Sequence, residues 1–432
     1  MSDFNSSKLA KTLEKKSLSD SGIKQIDLNL SLAQDLKNSD PVKSAKFASL
    51  ALESSKRIFQ KEIFYPYGKA KSLLILSELQ LINSNLNESS RLIEKSLKIF
   101  ESIADIKGII DCYIIKGKIQ IKKAKQDDAF LIFDEAYSLA KKINYKFGIF
   151  NSLFNKANIL LANGDSELAE TIYKECLTFS KNLSTKEKEI LYKLYSNLGI
   201  INTNKGNTQA ALKYFSSGLK IAEEYNNTSG KIILLLNTTS LYNFIGEYKK
   251  AKCITQKMIE VCKKSKDNIN LFYAYSSIIV QSLNLGELDN AYEYVIKAEN
   301  LISKSKNHIF HCHSNLNLGL VYASKNNYAL AREHYHKGIK IAEEFNLINE
   351  IAEGYRRLSK ISITENEIKN SIINLKESAK LLKNTGYTGK LSLIYKQIAY
   401  LYEKLTENFN AQKYHKLSDS LNNFNSNLKI KN

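Results

Sequence analysis

Proline and glycine are scarce, with 2 Pro and 17 Gly in 432 residues, both well below ordinary usage. So few breakers exclude turn-rich β architecture and leave little room for Gly-rich nucleotide loops. Long apolar runs are missing too. The longest purely aliphatic stretch is Ile232–Leu236, against the about 20 residues of a membrane helix, so no membrane insertion is expected. The start, Met1-Ser-Asp-Phe-Asn-Ser-Ser-Lys8, has no apolar stretch behind a basic opening and does not read as a secretory signal. The 5 cysteines lack framework spacing, the pattern of reduced thiols in a cytoplasmic compartment.

What is present is a 43% apolar content, enough for a continuous core and incompatible with general disorder. Positive charge is in excess, 63 Lys and Arg against 44 Asp and Glu, a net of +19. The excess is spread: +7 over residues 1–150, +4 over 151–290 and +8 over 291–432. A nucleic-acid module concentrates its charge and adds a reading motif. Neither is found, which argues against dedicated nucleic-acid binding and leaves a non-specific, nucleic-acid-associated basic scaffold as the alternative function.

A repeat dominates the chain. One small residue recurs at Ser44, Ser89, Ala129, Ala169, Ala211, Ala251, Ala291, Ala331, Ser371 and Ala411, at spacings of 45, 40, 40, 42 and then 40 throughout. Each unit reads as helix, tight turn, helix. The turns carry Asn163-Gly-Asp, Lys205-Gly-Asn, Ile245-Gly-Glu, Leu285-Gly-Glu or Lys325-Asn-Asn, and Gly and Asn tolerate the left-handed backbone that ends a helix. Small residues at Gly117, Ala157, Gly199, Gly319 and Ala399 in the first helices allow close helix approach.

The Leu-Gly pairs 198–199 and 318–319, the aromatics Tyr242, Tyr248, Tyr322 and Tyr328, and the recurrent Ala together resemble the tetratricopeptide repeat family. The resemblance spans about residues 22–421. Two features depart from it: the chain has no Trp at all, and its period is 40 rather than the commoner 34. The implied fold is all-α, a right-handed α-solenoid of about ten helix-turn-helix repeats. Residues 1–21 are expected as a tail or cap helix around Leu9, Leu13 and Leu18, and 422–432 as a polar tail. The ending Tyr414–Leu421 is similar to the close of repeat arrays in bacterial sensors and regulators. That implies either a stand-alone sensor or an output domain or partner at the C-terminal end.

The resemblance also implies a concave groove lined by one stripe of each first helix, at residues spaced 4, 3 and 4. Repeat four contributes Asn155 and Asn158, repeat five Asn197, Ile200 and Asn204, and repeat six Ile233, Asn237 and Phe244. Repeat seven contributes Tyr273 and Asn284, repeat eight His313, Asn317 and Leu320, and repeat nine Arg357 and Lys360. Asn155, Asn197, Asn237 and Asn317 share the second position. Asn is a poor mid-helix residue, and a row of amides can pair with a peptide backbone. In the resembling family Asn there contacts bound peptide. The alternative is that these amides bond between neighbouring helices and serve the fold. Lys118, Asn155 and Asn197 are not the full set of a two-carboxylate clamp for chaperone tails.

No catalytic constellation emerges, so an enzyme is not expected, and neither is a cofactor. The stretch Gly386–Ser392 has the wrong spacing for a phosphate loop. His308, His311, Cys312 and His313 lack metal-site spacing. Cys253 and Cys262, nine residues apart, read as small buried thiols. The expectation is a cytoplasmic protein- or peptide-binding scaffold or sensor in signalling or transcriptional regulation, its groove centred on repeats four to eight.

Overall fold

The computed structural model describes residues 22–37, 40–60, 65–185, 187–303, 305, 307–383 and 388–427. The cap expected in 1–21 lies outside these residues, as do positions 384–387 of the stretch read against a phosphate loop. Among the described residues there are no strands and twenty α-helices, which pair into ten hairpins. These are α1 (Ile23–Leu36) with α2 (Pro41–Gln60), α3 (Pro66–Ile82) with α4 (Leu86–Ser102), and α5 (Ile106–Lys122) with α6 (Gln126–Lys142). Next come α7 (Lys146–Ala162) with α8 (Ser166–Ser180), α9 (Leu191–Asn204) with α10 (Thr208–Glu224), and α11 (Thr228–Phe244) with α12 (Tyr248–Ser265). The series ends with α13 (Asn268–Asn284) and α14 (Leu288–Ile302), α15 (His308–Ser324) and α16 (Tyr328–Glu344), α17 (Ile348–Thr364) and α18 (Ile368–Leu382), and α19 (Thr388–Lys404) and α20 (Asn408–Asn427). The last helix continues into the segment read from sequence as a polar tail.

All ten recurrent small residues sit on second helices and are buried. Where serine replaces alanine, its hydroxyl is tied to the first helix: Ser44 Oγ donates to the Ala33 carbonyl at 2.6 Å and Ser89 Oγ to Ser77 at 2.8 Å. The small first-helix positions receive the aromatic ring of the second helix. A Cβ on Gly117, Gly199 or Gly319 would stand 2.5, 2.2 or 2.4 Å from Phe133, Phe215 or Tyr335. Close approach is therefore what these glycines supply, and a ring fills the space each leaves.

The turns follow one scheme. A left-handed residue stops the first helix, and the next residue caps the second. At the fifth hairpin Gly206 has φ 76° and Asn207 N–H bonds back to the Asn202 carbonyl at 2.8 Å. Asp165 and Asn327 accept from the backbone N–H three residues on, at 3.1 and 3.2 Å. Ser84, Ala104, Ala124, Lys266 and Thr406 also adopt positive φ without being Gly or Asn. There, the geometry of the helix-to-helix turn, within a hairpin or between two, overrides local preference.

The chain divides into two compact units, Met1–Leu194 and Tyr195–Asn432, where the repeat by itself suggested one array. The division falls beside the interior repeat spaced 42 rather than 40, whose connection holds a 3-10 turn at Glu187–Ile190. Within each unit a second helix packs on its own partner and on the next first helix, as α4 does on α3 and α5, and α14 on α13 and α15.

Candidate ligand-binding face

In Tyr195–Asn432 the first helices touch in series, α11 on α13, α13 on α15 and α15 on α17. Their stripe residues therefore form columns. In the first column Ile233 is 42% exposed, and the rings of Tyr273 and His313 lie 6.1 Å apart, edge to face. In the last column Phe244 is 75% exposed, while the corresponding Asn204, Asn284, Ser324, Thr364 and Lys404 are all polar and exposed. Leu320 and Ile200 are half-buried between these columns.

The second column does something that spacing did not reveal. Asn237 Nδ2 donates to Ser196 Oγ at 2.9 Å, and Asn317 Nδ2 to Ser276 Oγ at 3.1 Å. Arg357 Nη1 donates to the Leu316 carbonyl at 2.6 Å. Each bond spans 41 residues and joins one first helix to the preceding one. In the first unit Asn155 is buried and donates to the Asn151 carbonyl of its own helix at 2.7 Å, while Asn158 Oδ1 accepts from the Tyr173 hydroxyl at 2.6 Å. Asn284 also bonds back to its own helix, at the Val280 carbonyl. Asn197 is half-buried and Asn204 exposed. Most of the amides read as a peptide-contacting row thus already donate or accept within the protein. Each Asn–Ser bond between repeats contributes about 1 kcal/mol to the stack.

Charge is concentrated around α17. Burial alone would raise the Glu353 carboxyl, but Arg356, which donates to both its oxygens at 2.6 and 2.7 Å, and Arg357 outweigh that and hold it at about 2. Burial lowers the His313 imidazole below its ordinary 6.5, partly opposed by Glu350, whose carboxylate lies 3.6 Å away. Partial desolvation of its ammonium and then the Arg356 charge lower Lys360 below the ordinary lysine value. The Glu353 carboxyl ordinarily titrates at 4.5, so the folded chain binds fewer protons than the unfolded one between 4.5 and about 2. Its stabilisation is full above 4.5 and is lost as pH falls towards 2. Urea midpoints measured from about pH 6 down to about pH 3 should therefore fall further for the native chain than for Glu353→Gln. Equal slopes would show that Glu353 is not linked to folding.

Sequence reasoning placed Lys118, Asn155 and Asn158 on this face of Met1–Leu194 but left the first two repeats without a stripe. Lys71 and Glu78 sit 40 residues before Asp111 and Lys118. Lys71 Nζ pairs with Asp111 at 3.1 Å and Lys37 Nζ with Glu78 at 2.8 Å, and the Tyr145 hydroxyl donates to Asp111 at 3.2 Å.

The His and Cys side chains near 310 go to separate partners. The His308 ring stacks on Phe345, His311 Nε2 meets the Ser305 carbonyl at 2.9 Å, and Cys312 is buried. Cys262 is buried as expected, but Cys253 is exposed, because it faces outward on α12. No described helix is long and apolar enough to cross a membrane.

Comparison with known proteins agrees with this geometry. A tetratricopeptide repeat family model matches residues 150–183, 192–225 and 313–345. The human outer dynein arm-docking complex subunit 4 is 26% identical over 145 residues, which is 34% of this chain and 20% of that protein. The bovine protein of the same name is 26% identical over 132 residues, 31% of this chain and 18% of the relative. The chain thus spans about a fifth of the length of the curated relatives it matches. Among solved structures, apo RapI superposes with a TM-score of 0.61 at 15% identity, covering 82% of this chain and 97% of RapI. The apo quorum sensor NprR from B. thuringiensis gives 0.55 at 17%, covering 81% and 98%. A Rap protein complexed with competence and sporulation factor gives 0.53 at 12%, covering 83% and 99%. Its hairpins, its matched repeats and these shared folds make the chain a tetratricopeptide repeat protein.

Proposed function

We propose that this protein is a regulatory scaffold whose first-helix face in Tyr195–Asn432 binds an extended peptide segment of a partner. The observation that carries the reading is Phe244, exposed on a column that is otherwise polar. With the exposed Ile233 and the half-buried Tyr273 and Leu320, it offers apolar anchors beside a polar ladder. Isolated apolar residues are ordinary on surfaces, whereas several along one face suit the alternating side chains of a bound segment. A related fold is described as complexed with competence and sporulation factor and another as a quorum sensor, which supports a ligand-sensing role. The contacts fall to the apolar side chains, while Asn237 and Asn317 keep the helices in register.

Selection from a random peptide display library tests this with the native chain and an Ile233→Ser/Phe244→Ser variant. The native chain should enrich peptides with spaced apolar residues, and the variant, with unchanged helicity, should bind them about tenfold more weakly. Equal binding by both chains would reject this face as the site.

A further inference from the structure

The second helix α20 differs from the other second helices of its unit on the side turned away from α19. Its inner side is Ala411, Tyr414, Ser418 and Leu421. Ala411 and Ser418 are buried, the Ser418 and Ser392 hydroxyls lie 2.8 Å apart, and the Tyr414 ring lies 5.8 Å from those of Tyr395 and Tyr402. The outer side carries Phe409 and Leu417. Phe409 is 83% exposed, more than any other large apolar side chain among the described residues, and Leu417 is exposed as well. With Gln412, Lys413, Lys416 and Ser420 they line an open depression of about 430 Å³.

The repeat register makes these two residues exceptional. Steps of 40 residues back from Phe409 fall on Lys369, Ala329, Asp289, Lys249 and Gln209, and steps back from Leu417 on Glu377, Lys337, Lys297, Lys257 and Ser217. None of these is a large apolar residue, and all but Ala329 are polar. Single apolar residues are ordinary on a surface. Here two lie on one helix, about 12 Å apart along its axis, with cations between them. Lys413 and Lys416 are exposed and form no ion pair within 4.0 Å among the described residues. The neighbouring carboxylates are engaged elsewhere: Glu403 meets His415 Nε2 at 2.9 Å, and Glu407 accepts from Asn410 Nδ2 at 2.7 Å.

We propose that the outer side of α20 docks an acidic amphipathic helix of a partner protein, with its apolar residues against Phe409 and Leu417 and its carboxylates on Lys413 and Lys416. The backbone groups of α20 are bonded within the helix, so this surface offers side chains alone. An extended segment would find no backbone partners there, whereas a helix brings its own backbone already bonded. A second copy of the chain fits worse. Setting Phe409 against Leu417 across a two-fold axis would set Lys413 against its own copy, and like charges opposed at an interface are unfavourable. This surface lies on a second helix, apart from the first-helix face proposed above, and either reading can fail without the other.

Two fluorescein-labelled peptides test this by anisotropy with the full chain at about 50 mM salt, where screening is modest. One is three copies of Leu-Glu-Ala-Leu-Glu-Gln-Ala, and the other has Lys in place of each Glu. Phe409→Ser/Leu417→Ser, at exposed positions, should keep its helicity and bind the Glu peptide about tenfold more weakly than the native chain. Lys413→Glu/Lys416→Glu should weaken the Glu peptide by about tenfold and strengthen the Lys peptide. Lys249→Glu/Lys257→Glu makes the same charge reversal at exposed positions on α12 and should change the Glu peptide's affinity by less than about twofold. Undiminished binding by the serine variant would overturn the site. Equal effects of the two charge reversals would mean attraction to net charge alone and would overturn it too. Sedimentation of the native chain as a dimer and of the serine variant as a monomer would overturn the partner helix in favour of a second copy.

Discussion

Gly319→Val should lower the stability of the hairpin α15–α16 by about 3 kcal/mol or more, at the upper end of overpacking effects. In an exposed helix, replacing glycine by alanine gains up to about 1 kcal/mol, because glycine loses more backbone freedom on folding. Here the sign reverses. A Cβ at Gly319 would stand 2.4 Å from Cε1 and 2.5 Å from Cδ1 of Tyr335, with the Ala331 carbonyl oxygen at 3.1 Å. Tyr335 is 2% exposed and cannot swing into solvent without emptying the core beneath it. Valine adds two methyl groups in the same direction. Because a solenoid's contacts are between neighbours, the loss should appear first as faster amide exchange in α15, α16 and the adjoining α17, before global melting. A second variant checks the cause. Tyr335→Ala should relieve part of the Gly319→Val penalty, giving a non-additive cycle. Additive losses would mean the ring is not the obstacle.

Phe272→Ala should cost about 3–5 kcal/mol, the range for truncating a fully buried aromatic side chain. Phe272 is 0% exposed and lies among Ile232, Met258, Ile259, Ile278 and Ile302. Its ring centroid is 4.8 Å from that of Phe310 and 5.8 Å from that of Tyr273. Removing it leaves a cavity spanning consecutive repeats and withdraws ring contacts that add to the area term. The effect should reach the proposed ligand face, since Phe310 also touches Tyr273, and Tyr273 meets His313. Peptides selected by the native chain should therefore bind Phe272→Ala more weakly even where the chain is still helical. Phe244→Ala, at a position 75% exposed, should change stability by less than about 0.5 kcal/mol while losing peptide binding. A thermal melt and a binding isotherm on the same two variants separate the roles. Equal stability losses would show that Phe244 packs in the core.

The hairpins were legible in the sequence because every contact that defines them recurs. Ala211, Ala251, Ala291 and Ala331 mark the buried side of each second helix, Gly199 and Gly319 the place where a ring enters, and Gly206, Gly246 and Gly286 the turn. A solenoid repeat meets mainly its neighbours, so a periodic chain states those meetings directly. The left-handed turns at Ala104, Ala124, Lys266 and Thr406 carried no such mark. There the helix on each side fixes the backbone, and the residue's own preference, about 1–2 kcal/mol, is overruled.

The face was legible only in part. A period of 3.6 residues puts Asn237, Asn317 and Arg357 on one stripe, and the sequence showed that much. Whether an amide meets a ligand or a neighbour depends on the distance between two helices 40 residues apart. That distance brings Ser196, Ser276 and the Leu316 carbonyl within 2.6–3.1 Å of these donors. The same holds for Lys37 with Glu78 and Lys71 with Asp111, pairs that no local pattern announces. The sequence by itself determined the repeat, its helices and the buried side marked by the recurrent small residues. Tertiary structure alone decided which polar groups are already bonded, which lysines lack a counter-charge, and where the array divides in two. Hydrogen bonds and ion pairs act over a few ångströms, and only packing sets those distances.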